Sequence, residues 1–255
     1  MPNHVFNSLN VSGDDKVLKR FIKMAAETES GEKEDFATGK MEKYSAHRHI
    51  SFNKFIPMPK ELDITSDGMV NYLSNPFSGK TPIEQIVDSI KKADAKTVKN
   101  FVQAILNLNK YGHCSWYEWN VAHWGTKWNA YDINEPEIVK GSATYHFNTA
   151  WSPPIPVVKR MAEIFPALRF ELVYEEESDF YGKLVCQDGA VIEDTSGEYT
   201  GAYACKDCGY EGGKFHQDGK CPQCGSTSTP LTYDEWEKGQ SGKTEENKPK
   251  KEKTK

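Results

Sequence analysis

The chain has 255 residues, of which 37% are hydrophobic and 27% charged, with a formal net charge of −5. That length suits one large domain with a small module. The acidic balance excludes a global basic field, so a nucleic-acid partner would need a local patch. No run approaches the ~18 apolar residues of a membrane span. The start MPNHVFNSLN does not read as a signal peptide, so the expectation is a cytoplasmic protein with no membrane partner.

Val5 to Val11 alternates and reads as a first strand, with Val5, Leu9 and Val11 on one face and Phe6 breaking the pattern. Lys16 to Glu27 carries Val17, Leu18, Phe21, Ile22 and Ala25 at the spacing of an amphipathic helix. Thr28 to Lys43 is charged, anchored only by Phe36 and Met41, and is expected to be a long loop. Tyr44 to Ile56 alternates as a second strand, ended by Pro57 and Pro59. Helices are expected from Pro82 to about Lys92 and from Ala95 to Asn109.

Cys114 to Asp132, CSWYEWNVAHWGTKWNAYD, holds four of the six tryptophans: Trp116, Trp119, Trp124 and Trp128. The spacing predicts a helix from His113 to His123, with Trp116, Asn120 and His123 on one face. Gly125 stops it, because glycine enters the left-handed conformation without a Cβ penalty. Burying one Trp or Tyr is worth up to ~4–6 kcal/mol, so most of these rings must be packing. A minority lining a groove could stack on a ligand, each base being worth about 1–3 kcal/mol. The ligand-binding candidates are Trp116, His123, Trp124, Thr126, Lys127 and Trp128, joined by Asn148. Lys127, between Trp124 and Trp128, is the natural phosphate partner.

Ala143 to Trp151 reads as a third strand, with Ala143, Tyr145, Phe147 and Thr149 on one face and Thr144, His146 and Asn148 on the other. Ile155 to Phe165 is an amphipathic helix, Leu168 to Tyr174 a fourth strand, and Asp188-Gly189 the turn of a terminal hairpin. These elements predict an α+β fold: a ferredoxin-like split βαβ antiparallel sheet with a helical, aromatic-rich insertion. The expected domains are residues 1–195, with the insertion at about 60–140, a zinc ribbon at 196–237, and a solvated lysine-rich tail at 238–255.

The ribbon rests on two CxxCG knuckles, Cys205/Cys208 and Cys221/Cys224. Four thiolates suit one Zn²⁺ at ~2.3 Å, and a site so closed is structural rather than catalytic. His216 lies between the knuckles and is expected to be solvated. Cys114 and Cys186 are expected to be buried thiols.

Three pieces carry a family resemblance: the start through Val11-Ser-Gly13, the Phe52-to-Pro59 segment, and Trp116-Tyr-Glu-Trp119 continued by Trp124-Gly-Thr-Lys-Trp128-Asn-Ala-Tyr-Asp132. The Thr144-to-Pro154 strand and the following helix fit too. Over about residues 1–195 the chain resembles the YubB ferredoxin-like family of Api-like phage and plasmid proteins. The zinc ribbon stands outside that pattern. The resemblance implies the same fold and an accessory role in a mobile element, such as interference with host defence or DNA handling. It implies no activity for particular residues.

The functional expectation is a non-catalytic binding protein whose tryptophan-rich insertion takes nucleic acid, a nucleotide or a host protein. Composition sets no oligomeric state. The alternative is a phosphodiesterase-like enzyme in which His49 and His146, on neighbouring strands, flank a phosphodiester as base and acid, with Ser51 beside His49. Asn148 stands where a second hydroxyl is needed, so that pattern is incomplete. Glu118, His123 and Asp132 have only generic spacing for an acid–base or metal set.

Overall fold

The computed structural model describes residues 3–34, 40–66, 70, 83–176, 179–199, 202–211, 214–215, 220–228, 230–232 and 235–236. His216 and the lysine-rich tail lie outside the described residues. Contacts divide the chain into two units: Met1–Tyr174 with Leu184–Asp194, and Glu175–Lys183 with Thr195–Lys255.

β1 (His4–Gly13) alternates strictly, burying Val5, Asn7, Leu9 and Val11. Phe6 does not break the pattern; it lies on the outer face, 45% exposed. The polar exception on the core face is Asn7, whose Nδ2 donates to Val5 O at 2.9 Å and to Thr149 Oγ1 at 2.9 Å, as a buried amide must. β1 pairs antiparallel with β5 (Ser142–Ala150) from His4↔Ala150 to Ser12↔Ser142. β5 buries Ala143, Tyr145, Phe147 and Thr149, the face expected from the sequence.

α1 (Asp15–Ala25) begins where the Asp14 carboxylate accepts from Lys16 N and Val17 N, satisfying two of the free N–H groups at its start. Its Phe21 is the centre of the core. That ring meets Phe55 at 5.7 Å, Tyr145 at 6.0 Å, Phe165 at 5.5 Å and Phe170 at 5.4 Å. β6 (Leu168–Glu176), β7 (Phe180–Gln187) and β8 (Ala190–Glu198) complete a six-stranded sheet in the order β4-β5-β1-β6-β7-β8. The β7–β8 turn is Asp188-Gly189, both with positive φ, the conformation a two-residue hairpin favours. The fold is α+β with a ferredoxin-like domain.

The expected second strand is corrected. β3 (Met41–Arg48) pairs with β2 (Glu27–Glu34), from Glu27↔Arg48 to Glu34↔Met41, as a separate two-stranded sheet. The segment expected to be a loop therefore supplies strand. Beyond β3 the chain curls into a 3₁₀ turn at Phe52–Lys54. Phe52 and Phe55 are both buried. Residues three apart share a side in a 3₁₀ turn and fall on opposite faces of a strand. The sheet edge beside β5 is taken instead by β4 (Glu137–Val139), antiparallel through Ile138↔Ala143.

The insertion adds α2 (Ile83–Lys92), α3 (Ala95–Tyr111) and α4 (Trp116–Trp124). α3 is capped by Asp94, which accepts from Thr97 N, and ends at Gly112 with φ 74°. α5 (Ile155–Ile164) follows β5 and buries Val157, Val158, Met161 and Ala162.

Between β5 and α5, Trp151 holds φ 72°, a left-handed conformation that costs a side-chain-bearing residue about 1–3 kcal/mol. Its neighbours over-determine it. Trp151 N donates to Asn3 O at 3.0 Å. Ala150 N donates to Thr126 Oγ1 at 3.1 Å, and that hydroxyl donates to Ala150 O at 2.9 Å. Thr149 Oγ1 donates to Ser152 O at 2.8 Å.

Two stability predictions follow from this packing. Phe21→Ala is expected to lower unfolding free energy by about 3–5 kcal/mol, read by urea denaturation. At position 151, glycine is expected to be more stable than alanine by about 1 kcal/mol, because only glycine escapes the left-handed penalty; in an ordinary strand the order is reversed.

Candidate functional site

α4 starts with reciprocal caps. Ser115 Oγ accepts from Tyr117 N at 3.4 Å, while Ser115 N and Oγ donate to Glu118 Oε2 at 3.1 and 2.8 Å. Gly125 ends the helix at φ 78°, and a Cβ there would lie 2.7 Å from Pro156 Cδ. Trp119 and Trp124 are buried. Trp124 Nε1 donates to Ile56 O at 2.9 Å. Its ring meets Phe52 at 6.0 Å, and Phe52 meets Phe147 at 5.9 Å. These contacts attach α4 to the core face of β5.

Trp116, Asn120, Trp124, Trp128 and Asn129, with Met58 and Asp63, line a groove of about 420 Å³. A second depression of about 520 Å³ shares Met58, Asp63, Trp124 and Asn129 and adds Glu27, Thr28, Arg48, Asn53 and Lys60. Both amide atoms of Asn129 are engaged: its Oδ1 accepts from Phe52 N and Ala130 N, each at 2.9 Å, and its Nδ2 donates to Ser51 Oγ at 2.9 Å. Arg48 Nη1 donates to Ala130 O at 2.8 Å. Asn120 Nδ2 donates to Lys127 O at 3.0 Å.

Lys127 lies among three rings. Its Nζ is 4.5 Å from the Trp151 centroid, 4.8 Å from Trp128 and 5.6 Å from Tyr117. A cation over an aromatic face gains about 0.5–2 kcal/mol, more as water is removed. Trp151 is 42% exposed, and Trp128 serves both this cage and the groove. Trp151 is a residue that sequence reasoning missed. It read as the end of a strand, and no glycine marked its left-handed backbone.

The other candidates fall elsewhere. His123 stacks on Trp119, centroids 4.2 Å apart at 10°, and its Nδ1 donates to Trp119 O at 2.9 Å. It faces His113 at 5.3 Å; burial first, and His123 second, hold His113 below the usual imidazole range. Thr126 is buried against Ala150. Asn148 Nδ2 donates to Asp132 Oδ2 at 3.2 Å, and its backbone bridges to Tyr131. The Tyr131 hydroxyl donates to Thr149 O at 3.2 Å and lies 2.7 Å from His4 Nδ1. Burial, then the Asp132 charge, raise its pKa, so it stays a donor.

The arrangement assumed for a His49–His146 pair is also corrected. His146 is on β5, but His49 follows β3, whose described partner is β2. The His49 ring meets His47 at 4.9 Å. Ser51 is buried, donating to Glu27 Oε2 at 2.6 Å and accepting from Asn129. Its hydroxyl is a structural link, because the chain turns inward there instead of continuing as a strand.

In the second unit, Cys205, Cys208, Cys221 and Cys224 place their sulfurs within 4.8 Å of one another and could hold a metal ion. Cys205 and Cys224 Sγ are 3.8 Å apart, Cys208 and Cys221 Sγ 3.7 Å. The two knuckles repeat the same bonds. Cys205 N donates to Tyr210 O and Gly209 N to Cys205 O; Cys221 N donates to Ser226 O and Gly225 N to Cys221 O. Both glycines hold φ 71°. Phe215 packs with Cys205, Cys221 and Tyr210. β9 (Ala202–Ala204) and β10 (Leu231–Thr232) pair beside the cluster. Elsewhere, Cys114 and Cys186 are buried thiols, and burial raises the Cys186 pKa. Among the described residues no helix is long and apolar enough to cross a membrane.

A comparison with curated proteins gives no match. The crystal structure of protein api92 from Yersinia pseudotuberculosis aligns over 78% of this chain and 99% of its own, at 11% identity and a TM-score of 0.38. Residues 123–208 match the family model described as a ferredoxin-like domain in Api92-like protein. The matched segment contains β5, α5 and β6–β8.

Proposed function

We propose that the protein is a non-catalytic binding module for single-stranded nucleic acid or a nucleotide, taken up by the tryptophan-rich insertion. The observation that carries this is the groove of Trp116, Trp124 and Trp128, bordered by the Lys127 ammonium among Trp128, Trp151 and Tyr117. Indole faces stack on bases of any sequence, and a neighbouring cation attracts the phosphates. Lys60 and Arg48 line the adjoining depression, where Glu27 and Asp63 offset their charge, so Lys127 is the cation on which the reading rests. The resemblance to phage and plasmid proteins supports an accessory role in a mobile element, inside the host cytoplasm. There a host protein is the competing partner.

The four cysteines suit one structural zinc ion. For a metal–sulfur bond of ~2.3 Å, a tetrahedral S···S edge is ~3.8 Å, close to the 3.8 and 3.7 Å between opposite knuckles. Four thiolates leave no open coordination position, so the ion would hold the ribbon together rather than activate water.

Binding is tested with the full chain, by quenching of tryptophan fluorescence with labelled single-stranded oligonucleotides at two salt concentrations. Salt-sensitive binding is expected. Trp128→Ala is expected to weaken it by about 1–3 kcal/mol, and Lys127→Gln to flatten its salt dependence. Absence of salt-sensitive binding to every oligonucleotide, with retention of a host protein in pull-downs, would transfer the groove to a protein partner.

Elemental analysis is expected to find one zinc per chain, lost in Cys205→Ser. Affinity for the ion should fall as pH falls, because binding requires thiolates and releases protons. A metal-free protein whose 202–236 region resists protease equally with and without chelator would refute the structural role.

A further inference from the structure

We infer that Asn120 reads the ligand: its Oδ1 accepts a hydrogen bond from the exocyclic amino group of a base stacked in the tryptophan groove. The site should therefore favour cytosine and adenine over thymine. This rests on the nucleic-acid binding proposed above and adds a specificity to it.

The orientation of the amide is set by its partner. Asn120 Nδ2 lies 3.0 Å from Lys127 O, and a carbonyl only accepts, so the nitrogen faces Lys127. Oδ1 is left as the free end. It is buried and has no hydrogen-bond partner among the described residues, in a side chain 4% exposed that lines the groove with Trp116, Trp124 and Trp128. A buried acceptor without a donor destabilises the site, and a ligand that supplies the donor recovers that loss.

The remaining polar groups of the groove narrow the class of ligand. Asn129 uses both its amide atoms within the protein, and Trp124 Nε1 is engaged by Ile56 O. Asp63, the charged residue of the lining, only accepts when ionised. The indoles of Trp116 and Trp128 also carry N–H donors, but Asn120 Oδ1 is an acceptor, and only a donor on the ligand satisfies it. Phosphate oxygens cannot satisfy Asn120 Oδ1, so the backbone belongs toward Lys127 and the base toward Asn120. Cytosine N4 and adenine N6 carry amino donors; thymine presents O4 and a methyl group at the corresponding edge.

The test compares oligo-dC, oligo-dA and oligo-dT of equal length, with a fourth probe of N4,N4-dimethylcytosine, which keeps the stacking face and loses the donors. Affinity for dC and dA is expected to exceed that for dT and for the dimethylated probe by roughly tenfold. Asn120→Leu should bring the four probes together, whereas Trp128→Ala should weaken all of them and keep their ratio. The probe series needs no variant, so it decides the matter even if Asn120→Leu fails to fold. Equal, salt-sensitive binding of all four probes overturns the role of Asn120 and leaves nucleic-acid binding standing. Binding of none, or of a neutral oligosaccharide instead, overturns both.

Discussion

The segment from Gly125 to Ala130 has no regular structure of its own, and the groove depends on how it is pinned. Each of its turns is held by a side chain bonded to backbone. Thr126 clasps Ala150 in both directions, Asn120 holds Lys127 O, Asn129 spans Ser51, Phe52 and Ala130, and Arg48 takes Ala130 O. Such bonds are modest singly, about 0.5–1.5 kcal/mol net. Together they fix the backbone from which Lys127 and Trp128 project. Trp124 then anchors the preceding helix through Ile56 O and the Phe52 ring. The aromatic surface is thus mounted on the sheet core.

That economy decides which residues remain for a partner. Asn129, Ser51 and Thr126 are polar groups close to the groove, yet each is consumed by the fold. His123 is consumed by stacking on Trp119, and Glu118 by the cap of α4. Among the described residues, what is left includes the half-buried indoles of Trp116 and Trp128, the Asp63 carboxylate, one cation caged by rings and one amide oxygen. Those are groups of recognition, suited to shape and stacking.

Much of this was legible in the residues. The core faces of β1 and β5 follow from two-residue alternation, and Gly125 announces the end of α4. The paired CxxCG knuckles set their own geometry locally, so spacing alone places four sulfurs together. The crowding of rigid aromatics marks the 116–128 window, but not which rings enter the core: Trp119 and Trp124 are buried, Trp116 and Trp128 half-buried. What escaped was tertiary. β2 and β3 have no apolar alternation, so their ladder left no periodic mark. Phe52 and Phe55 read as strand because their 3₁₀ turn arises from both rings entering the core. Asn120 looked like any helix-face amide until its nitrogen was committed to Lys127 O. The strain at Trp151 comes from Asn3, Thr126 and Ser152, none of which signals it in sequence.

Gly125 is constrained twice, by its left-handed backbone and by the Pro156 ring against its α-carbon. Any side chain there would at once strain the turn and wedge α4 away from α5. The joint of the insertion therefore tolerates no side chain, whereas Trp116 and Trp128 are only half-buried and cost the scaffold less to exchange than the buried Trp119 and Trp124.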